Sequence, residues 1–458
     1  MRSFFLLLLV LGTPVDVRAD VDVAHGLEGE VPEGVGRGGA GGAGGVGSSP
    51  VVIKPSDTFE GFVREMGFPV ENHTAVTADG VELRLFRLPQ PAAATPAPAV
   101  LLQHGILASC WCWVAHGDPA RAVAFALHRA GYDVWLSNSR GNTFSHNSTN
   151  PAVPVRSDAF WNFTFETMGD LDVHTNVDFV LGATGRKDLS FVGWSQGHTQ
   201  FMMAALTQPA LRRKINLYAG ISPVVYLTHA TSTFLTTIAK LGLGGALYAV
   251  YKRQFLGGAP AVHAAEELLC KLTLGAVCEL SVDVFCGSSP LDDSKLIENV
   301  AAHFPAGTSV KDFVHYVQYI KAGHFARFDY GRRGNPLQYN GSAAPPLYDL
   351  SAFPAPPNAS SGGSGADGGV PLALFSGDDD ALVANEDRER QLRELNASAS
   401  SGGASPVVFN RVYAGFSHLT WFVGKETAYP WLDDLLGVLQ QYNKPQPRSG
   451  ADAAAITM

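Results

Sequence analysis

Cysteine is scarce in this chain, with five in 458 residues: Cys110, Cys112, Cys270, Cys278 and Cys286. So thin a set is no disulfide framework, and no pair of them has metal-ligand spacing, so no metal or other cofactor is expected. Charge is sparse as well. Asp, Glu, Lys and Arg make up 16%, and 33 Lys and Arg against 42 Asp and Glu leave a net charge of -9. Basic residues cluster only in short pieces such as Arg212-Arg213-Lys214 and Arg332-Arg333, which speaks against a nucleic-acid partner. Long apolar runs are missing too. The run Phe4 to Leu11 is far short of the roughly 18–20 residues that cross a bilayer, and Thr233 to Tyr251 is broken by Lys240 and several glycines. No transmembrane segment is therefore expected. What the chain has is apolar material, 46% of its residues, enough for a sizeable core and a large α/β enzyme with one embellished domain.

Early Arg2, the apolar run and the small residues Val17 and Ala19 before Asp20 have the form of a secretory signal over 1–19. Six Asn-x-Ser/Thr sequons, at Asn72, Asn147, Asn162, Asn340, Asn358 and Asn396, fit passage through the secretory pathway. In an oxidising compartment an odd cysteine count leaves a free thiol or an intermolecular bridge. Residues 20–55 read as a flexible leader because Gly34 to Ser49 holds almost no large side chains. Pro354 to Gly369 and Asn396 to Ser405 read as surface insertions, and 446–458 as a flexible tail.

Between these tracts, short apolar runs alternate with helix-length segments. The runs are Ala99 to Gln103, Tyr132 to Leu136, Leu189 to Val192, Leu217 to Ile221, Leu372 to Phe375 and Val407 to Val412; Asp118 to Ala130 and Phe165 to Ala183 are two of the helical segments. This alternation predicts an α/β fold with a mostly parallel sheet flanked by helices. The core occupies 56–222 and 348–445, and the mostly helical stretch 223–347 is inserted as a cap over the active face.

The strand ending at Val192 runs into Gly193-Trp194-Ser195-Gln196-Gly197, a G-x-S-x-G sequence. Glycines on either side let a strand turn sharply into a helix and push the serine hydroxyl out at the end of the sheet, the form of a nucleophile elbow. The pentapeptide alone is a weak signal, since about 0.4 are expected by chance in a chain this rich in glycine; its place between a strand and the helix-compatible HTQFMMAAL strengthens it. A serine nucleophile needs a base and an orienting acid, which follow it in the order Asp, His in such folds. One late strand is followed by Asp378-Asp379-Asp380 and the next by His418. The backbone N–H of Gln196, and that of Ile106 in the loop His104-Gly105-Ile106 after an early strand, would supply the two oxyanion donors that acyl transfer needs. His104 reads as a structural residue holding that loop.

With these residues placed, the chain closely resembles the acid lipase family of the α/β-hydrolase fold, which includes gastric and lysosomal acid lipases. The segments that carry the resemblance are MGFPVENHTAVTADGVEL, LLQHGILAS, GYDVWLSNSRGNTFS, FWNFTFETMGDLDV, FVGWSQG, PAGTSVKDFVHYVQ, FARFDYG and HLTWFVG, in the family's order from about Phe62 to Asp434. The resemblance implies Ser195 as nucleophile, His418 as base, Asp380 rather than Asp378 or Asp379 as acid, and Ile106 and Gln196 as oxyanion donors. It also implies a Cys270–Cys278 disulfide with Cys286 free, and a neutral lipid ester, triacylglycerol or steryl ester, as substrate for a secreted or lysosomal enzyme. Three departures stand out. Trp194 replaces the usual His of the elbow, Thr420 stands where many members have Asp and leaves a supporting contact open, and Cys110 and Cys112 have no counterpart and are too close for an easy mutual bridge. The rival readings are a lipid-binding or transfer protein with a vestigial triad, and a short-chain esterase or acyltransferase.

Overall fold

Val100 to Leu102 and Val134 to Leu136 are apolar at every position, a pattern suited to central strands covered on both faces. A computed structural model describes residues 50–93, 96–242, 251–257, 284–356, 369–397 and 404–443, with 245, 248 and 249. Within it these runs are interior strands, buried at every residue from Ala99 to Gln103 and from Asp133 to Ser137.

The main sheet comprises β1 (Glu71–Val76), β2 (Val81–Leu88), β3 (Ala99–Gln103), β4 (Asp133–Ser137), β5 (Asn147–Ser148), β6 (Leu189–Trp194) and β7 (Ile215–Ile221). A separate antiparallel pair, β8 (Gln254–Phe255) with β9 (Thr308–Ser309), precedes its last two members, β10 (Leu372–Gly377) and β11 (Val407–Tyr413). The order is β1-β2-β4-β3-β6-β7-β10-β11, with β5 on β2. From β4 to β11 neighbours run parallel, while β1, β2 and β5 form an antiparallel edge. The six expected strands match six of these to within two residues at each end. The β1–β2 edge has no counterpart in the sequence reading, because β1 is largely exposed and carries no apolar run.

Helices flank the sheet. Thr58 caps α1 (Phe59–Glu65), its hydroxyl accepting from the Gly61 N–H. The expected Asp118–Ala130 helix shortens to α2 (Val123–Arg129), since Asp118 closes a turn onto the Ala120 N–H instead. The expected Phe165–Ala183 helix is present but interrupted: Phe165–Thr167 leads into a π-helical turn, Met168–Val173, before α3 (His174–Thr184). α4 (Gln196–Thr207) leaves β6 directly. Between β7 and β10 lie α5 (Thr233–Leu241), α6 (Ser294–Ala301), α7 (Val310–Ala322) and α8 (Gly331–Gln338), so the described part of 223–347 is mostly helical, with β8 and β9 added. α9 (Asn385–Leu395) and α10 (Pro430–Tyr442) complete the core. Among the described residues no helix is long and apolar enough to cross a membrane. The expected signal, the leader through Ser49, the tail, Cys270, Cys278 and most of both Gly/Ser-rich tracts lie outside the described residues.

β3 and β6 are neighbours, yet the chain continues from β3 to β4 on one side and from β6 to β7 on the other. Open α/β sheets bind ligands at such a switch point, beyond the carboxyl ends of the strands. The register pairs Gln103 with Gly193, which sets the loop after β3 beside the turn after β6.

Candidate active site

Ser195 alone makes the turn from β6 into α4, with φ 54° and ψ -115°. A non-glycine residue in this region is strained and persists only where its surroundings hold it. The Ser195 N–H donates to the Ile221 carbonyl at 3.0 Å, fixing the turn to β7. Gly197 is required by space rather than by its dihedrals: a Cβ there would lie 2.5 Å from the Gln103 carbonyl oxygen. The bare backbone lets α4 close onto the end of β3.

The Ser195 Oγ lies 2.8 Å from His418 Nε2, and His418 Nδ1 lies 2.9 Å from each oxygen of Asp380. All three side chains are buried. Of the three consecutive aspartates only Asp380 turns inward; Asp378 and Asp379 are exposed, and Asp378 accepts from the Gly415 N–H at 2.6 Å. Burial pushes the Asp380 carboxyl up, but His418 and the Leu382 and Val383 N–H groups, at 2.8 and 3.0 Å, outweigh it and leave it below its ordinary value. A carboxylate there draws the imidazole proton onto Nδ1 and leaves Nε2 as an acceptor facing the Ser195 hydroxyl. Such an array can take a proton from serine as the oxygen attacks a carbonyl.

The loop after β3 reaches the same point. Gly105 is pressed so closely to the elbow that a Cβ on it would sit 2.9 Å from Ser195 Cβ. Ile106 follows, lining the same cleft as Ser195. Among the described residues neither the Ile106 nor the Gln196 N–H has a protein acceptor. His104 is buried and neutral, held low at about 4 by burial, with Nδ1 2.7 Å from the Gly105 carbonyl and Nε2 accepting from the Ser139 N–H at 3.0 Å. It braces the loop, as its sequence context suggested.

The cleft over Ser195 holds about 610 Å3 of empty space, its solvent-open mouth included. Its lining is almost wholly apolar, with Leu107, Trp194, Leu382 and Leu419 from the core and Val224, Leu227, Leu235, Phe285, Phe304 and Phe313 from the segment between β7 and β10. Trp194 also lines a second cleft with Trp111, Cys112 and Phe422, and its indole N–H donates to the His418 carbonyl at 3.3 Å. Among the described residues no group of three or more His, Cys, Asp and Glu side chains is gathered to hold a metal ion.

Comparison with known proteins agrees with this geometry. Residues 98–423 match the family model of the alpha/beta hydrolase fold, and residues 59–117 that of a partial alpha/beta-hydrolase lipase region. Gastric triacylglycerol lipase of Bos taurus is 30% identical, over 82% of this chain and 90% of its own length. The chain belongs to the acid lipase family of α/β-hydrolases. It is a carboxylic ester hydrolase. Gastric triacylglycerol lipase of Mus musculus is 34% identical over 72% of this chain and 80% of its own. Among solved structures, a monoglyceride lipase from Saccharomyces cerevisiae covers 82% of this chain and 95% of its own, at 15% identity and a TM-score of 0.48.

In this acid lipase Thr420 is not short of a contact. Its hydroxyl donates to Asp292 at 2.6 Å, and Asp292 also accepts from the Ser417 hydroxyl at 3.1 Å, tying the His418 loop to the β7–β10 segment. Burial holds the Asp292 carboxyl above its ordinary value despite these donors. Cys110, Cys112 and Cys286 are free and buried.

Several supporting residues carried no signal of their own in the sequence. GYDVWLSNSRGNTFS builds the floor beneath the Ile106 loop. Asn138 accepts from the Cys110 N–H at 3.0 Å, Ser139 from the Gln103 side chain at 2.8 Å, and buried Arg140 bridges Asp79 and Asp172. Asp312, on α7, meets the Gln196 side chain at 2.8 Å. Its only mark in the sequence is its place three residues after Ser309, where a helix cap would set it.

Proposed function

We propose that this acid lipase hydrolyses neutral lipid esters, triacylglycerol or steryl ester, through an acyl-enzyme formed on Ser195. The observation that carries the reading is the continuous hydrogen-bonded line from Ser195 Oγ through His418 to Asp380. His418 Nε2 takes the hydroxyl proton as Ser195 Oγ bonds to the ester carbonyl carbon. The carbonyl oxygen becomes an oxyanion accepted by the Ile106 and Gln196 N–H groups, each donor worth on the order of 3–4 kcal/mol in the transition state. His418 then returns the proton to the leaving alcohol, and a water attacks the acyl-enzyme by the same route to release the fatty acid. Asp380, kept ionised, stabilises the imidazolium in both halves.

Residues 223–347 act as a cap in this reading. Much of the apolar lining over Ser195 comes from them, and apolar burial worth about 25 cal/mol per Å2 favours a long acyl chain over butyrate. The protein enters the secretory pathway by its 1–19 segment, carries N-linked glycans on some of its sequons, and is secreted or lysosomal.

Initial rates on triolein, cholesteryl oleate and p-nitrophenyl butyrate, each carried through its solubility limit, test the substrate class. Higher kcat/KM on the emulsified long-chain esters, with a rise as the substrate passes its solubility limit, is expected. A plain hyperbola with butyrate preferred would make this a short-chain esterase, and no turnover on any of them a lipid carrier.

A further inference from the structure

Asp312 is fully buried in the first turn of α7 and gathers donors from three separate parts of the chain. Its carboxylate accepts from the Phe165 N–H at 2.6 Å, Gln196 Nε2 at 2.8 Å and Thr308 Oγ1 at 2.8 Å. The titratable neighbour is Tyr316, one turn further along α7, whose hydroxyl lies beside the Gln196 and Thr199 side chains. Burial pushes the Asp312 carboxyl up to about 6, against the pull of its donors. A buried acid is costly to keep and must be accounted for by what it holds.

What it holds is Gln196. That side chain is gripped at both ends, Nε2 by Asp312 and Oε1 by Gln200 Nε2 at 3.1 Å, and the same residue's backbone N–H points to the proposed oxyanion site. The other half of that site is braced from the same strip of chain. The Ala306 N–H donates to the Leu107 carbonyl at 2.6 Å, immediately after Ile106, and the Ala306 carbonyl accepts from the Thr143 N–H at 2.9 Å. Residues 306–312 thus touch both donor-bearing loops.

We propose that Asp312 is a positioning residue for the oxyanion hole, its carboxylate fixing Gln196 as the 306–312 strip docks on the core. The proposal rests on the reading of Ser195 as nucleophile and of Gln196 and Ile106 as donors. It goes beyond that reading in making the hole depend on a side chain that never touches substrate. Asp312→Asn keeps the shape but turns an N–H2 group toward donors, so Gln196 loses its anchor.

The experiment is a double-mutant cycle in the full-length protein, with Asp312→Asn, Gln196→Ala and both together, assayed on p-nitrophenyl butyrate. Rates are normalised to sites titrated by a p-nitrophenyl phosphonate, so that misfolded protein is not counted. Asp312→Asn is expected to lower kcat about ten- to a hundredfold with KM changed less than about threefold, and to add less than about threefold once Gln196 is alanine. The full loss in both backgrounds, or wild-type kcat in Asp312→Asn, overturns the proposal. Should Asp312→Asn not fold, Gln196→Ala decides alone: a lowered kcat at unchanged KM supports the proposal and a wild-type kcat overturns it. A Ser195→Ala control separates the two levels, because turnover surviving there sinks the nucleophile assignment itself.

Discussion

Asp380 engages His418 through both carboxylate oxygens, each 2.9 Å from Nδ1, whereas Asp378, two residues earlier, is turned away onto the Gly415 N–H. Identical side chains in one tripeptide therefore have different fates. Asp380→Asn is expected to lower kcat by roughly three to four orders of magnitude, through loss of imidazolium stabilisation and of the correct tautomer. Asp378→Asn and Asp379→Asn should cost no more than a few-fold. Steady-state kinetics on a soluble ester check the ranking, and its reversal would move the acid to another residue.

An organophosphonate should label Ser195 covalently, with one adduct per chain found by mass spectrometry at the FVGWSQG peptide. Ser195→Ala should abolish both adduct and turnover while the melting curve stays close to that of the parent. A labelled Ser195→Ala protein would point to a different nucleophile.

Trp194 stands between two apolar clefts and closes them off from each other beside Ser195. Trp194→Ala should merge them. The kcat/KM for long or branched acyl esters is then expected to rise relative to butyrate by several-fold, even as kcat falls because the bond to the His418 carbonyl is lost. An unchanged chain-length profile would mean that the indole does not bound the acyl site.

The Cys270–Cys278 bridge implied by family resemblance is a proposal that non-reducing peptide mapping can check. Closing so short a loop constrains the unfolded chain by very roughly 2–3 kcal/mol. Cys286 should react with iodoacetamide only after unfolding, because burial excludes reagent and pushes the thiol up, so that little thiolate forms. A bridge from Cys286 to Cys110 or Cys112 would contradict this pairing.

Asp312 also sets a pH dependence of stability. In the unfolded chain its carboxyl ionises near 3.8, in the folded protein near 6, so between those values the folded state holds the extra proton. Stability from this group is therefore greatest below about pH 4, falls as pH rises to 6 by up to about 3 kcal/mol, and is flat above. Asp312→Asn lacks the ionisation. Across pH 4 to 6 its melting temperature should gain on that of the parent, by thermal denaturation at constant ionic strength. A pH-independent difference would mean that Asp312 does not titrate in this range.

The sheet was readable because its central strands bury both faces, which demands unbroken apolar runs such as Val134 to Leu136. The edge was not, since β1 answers to its neighbour β2 and to solvent rather than to a core. Ser195, His418 and the aspartate run announce themselves by residue type and by position after strands, and the fold brings them within hydrogen-bonding distance. Asp312 and Asp292 do not, because each acts on a loop distant in sequence: Asp312 on Gln196, 116 residues away, and Asp292 on Thr420, 128 away. Ionic partners so far apart leave no local period or spacing to read.

The π-helical turn at Met168–Val173 limits how the chain can change in length. It carries Asp172, which joins buried Arg140 at 2.8 Å, while Phe165 before it is anchored to Asp312 and α3 after it packs on the sheet. Such a turn is one residue wider than an α-helical one. Deleting any single residue within it would restore a regular helix and rotate one flank by about 100° relative to the other, since a full turn takes 3.6 residues. Either Phe165 or the sheet-facing side of α3 would then lose its partner. Insertions and deletions during divergence should accumulate in surface loops and skip this six-residue stretch, so homologous chains aligned on it should show substitutions but no gaps.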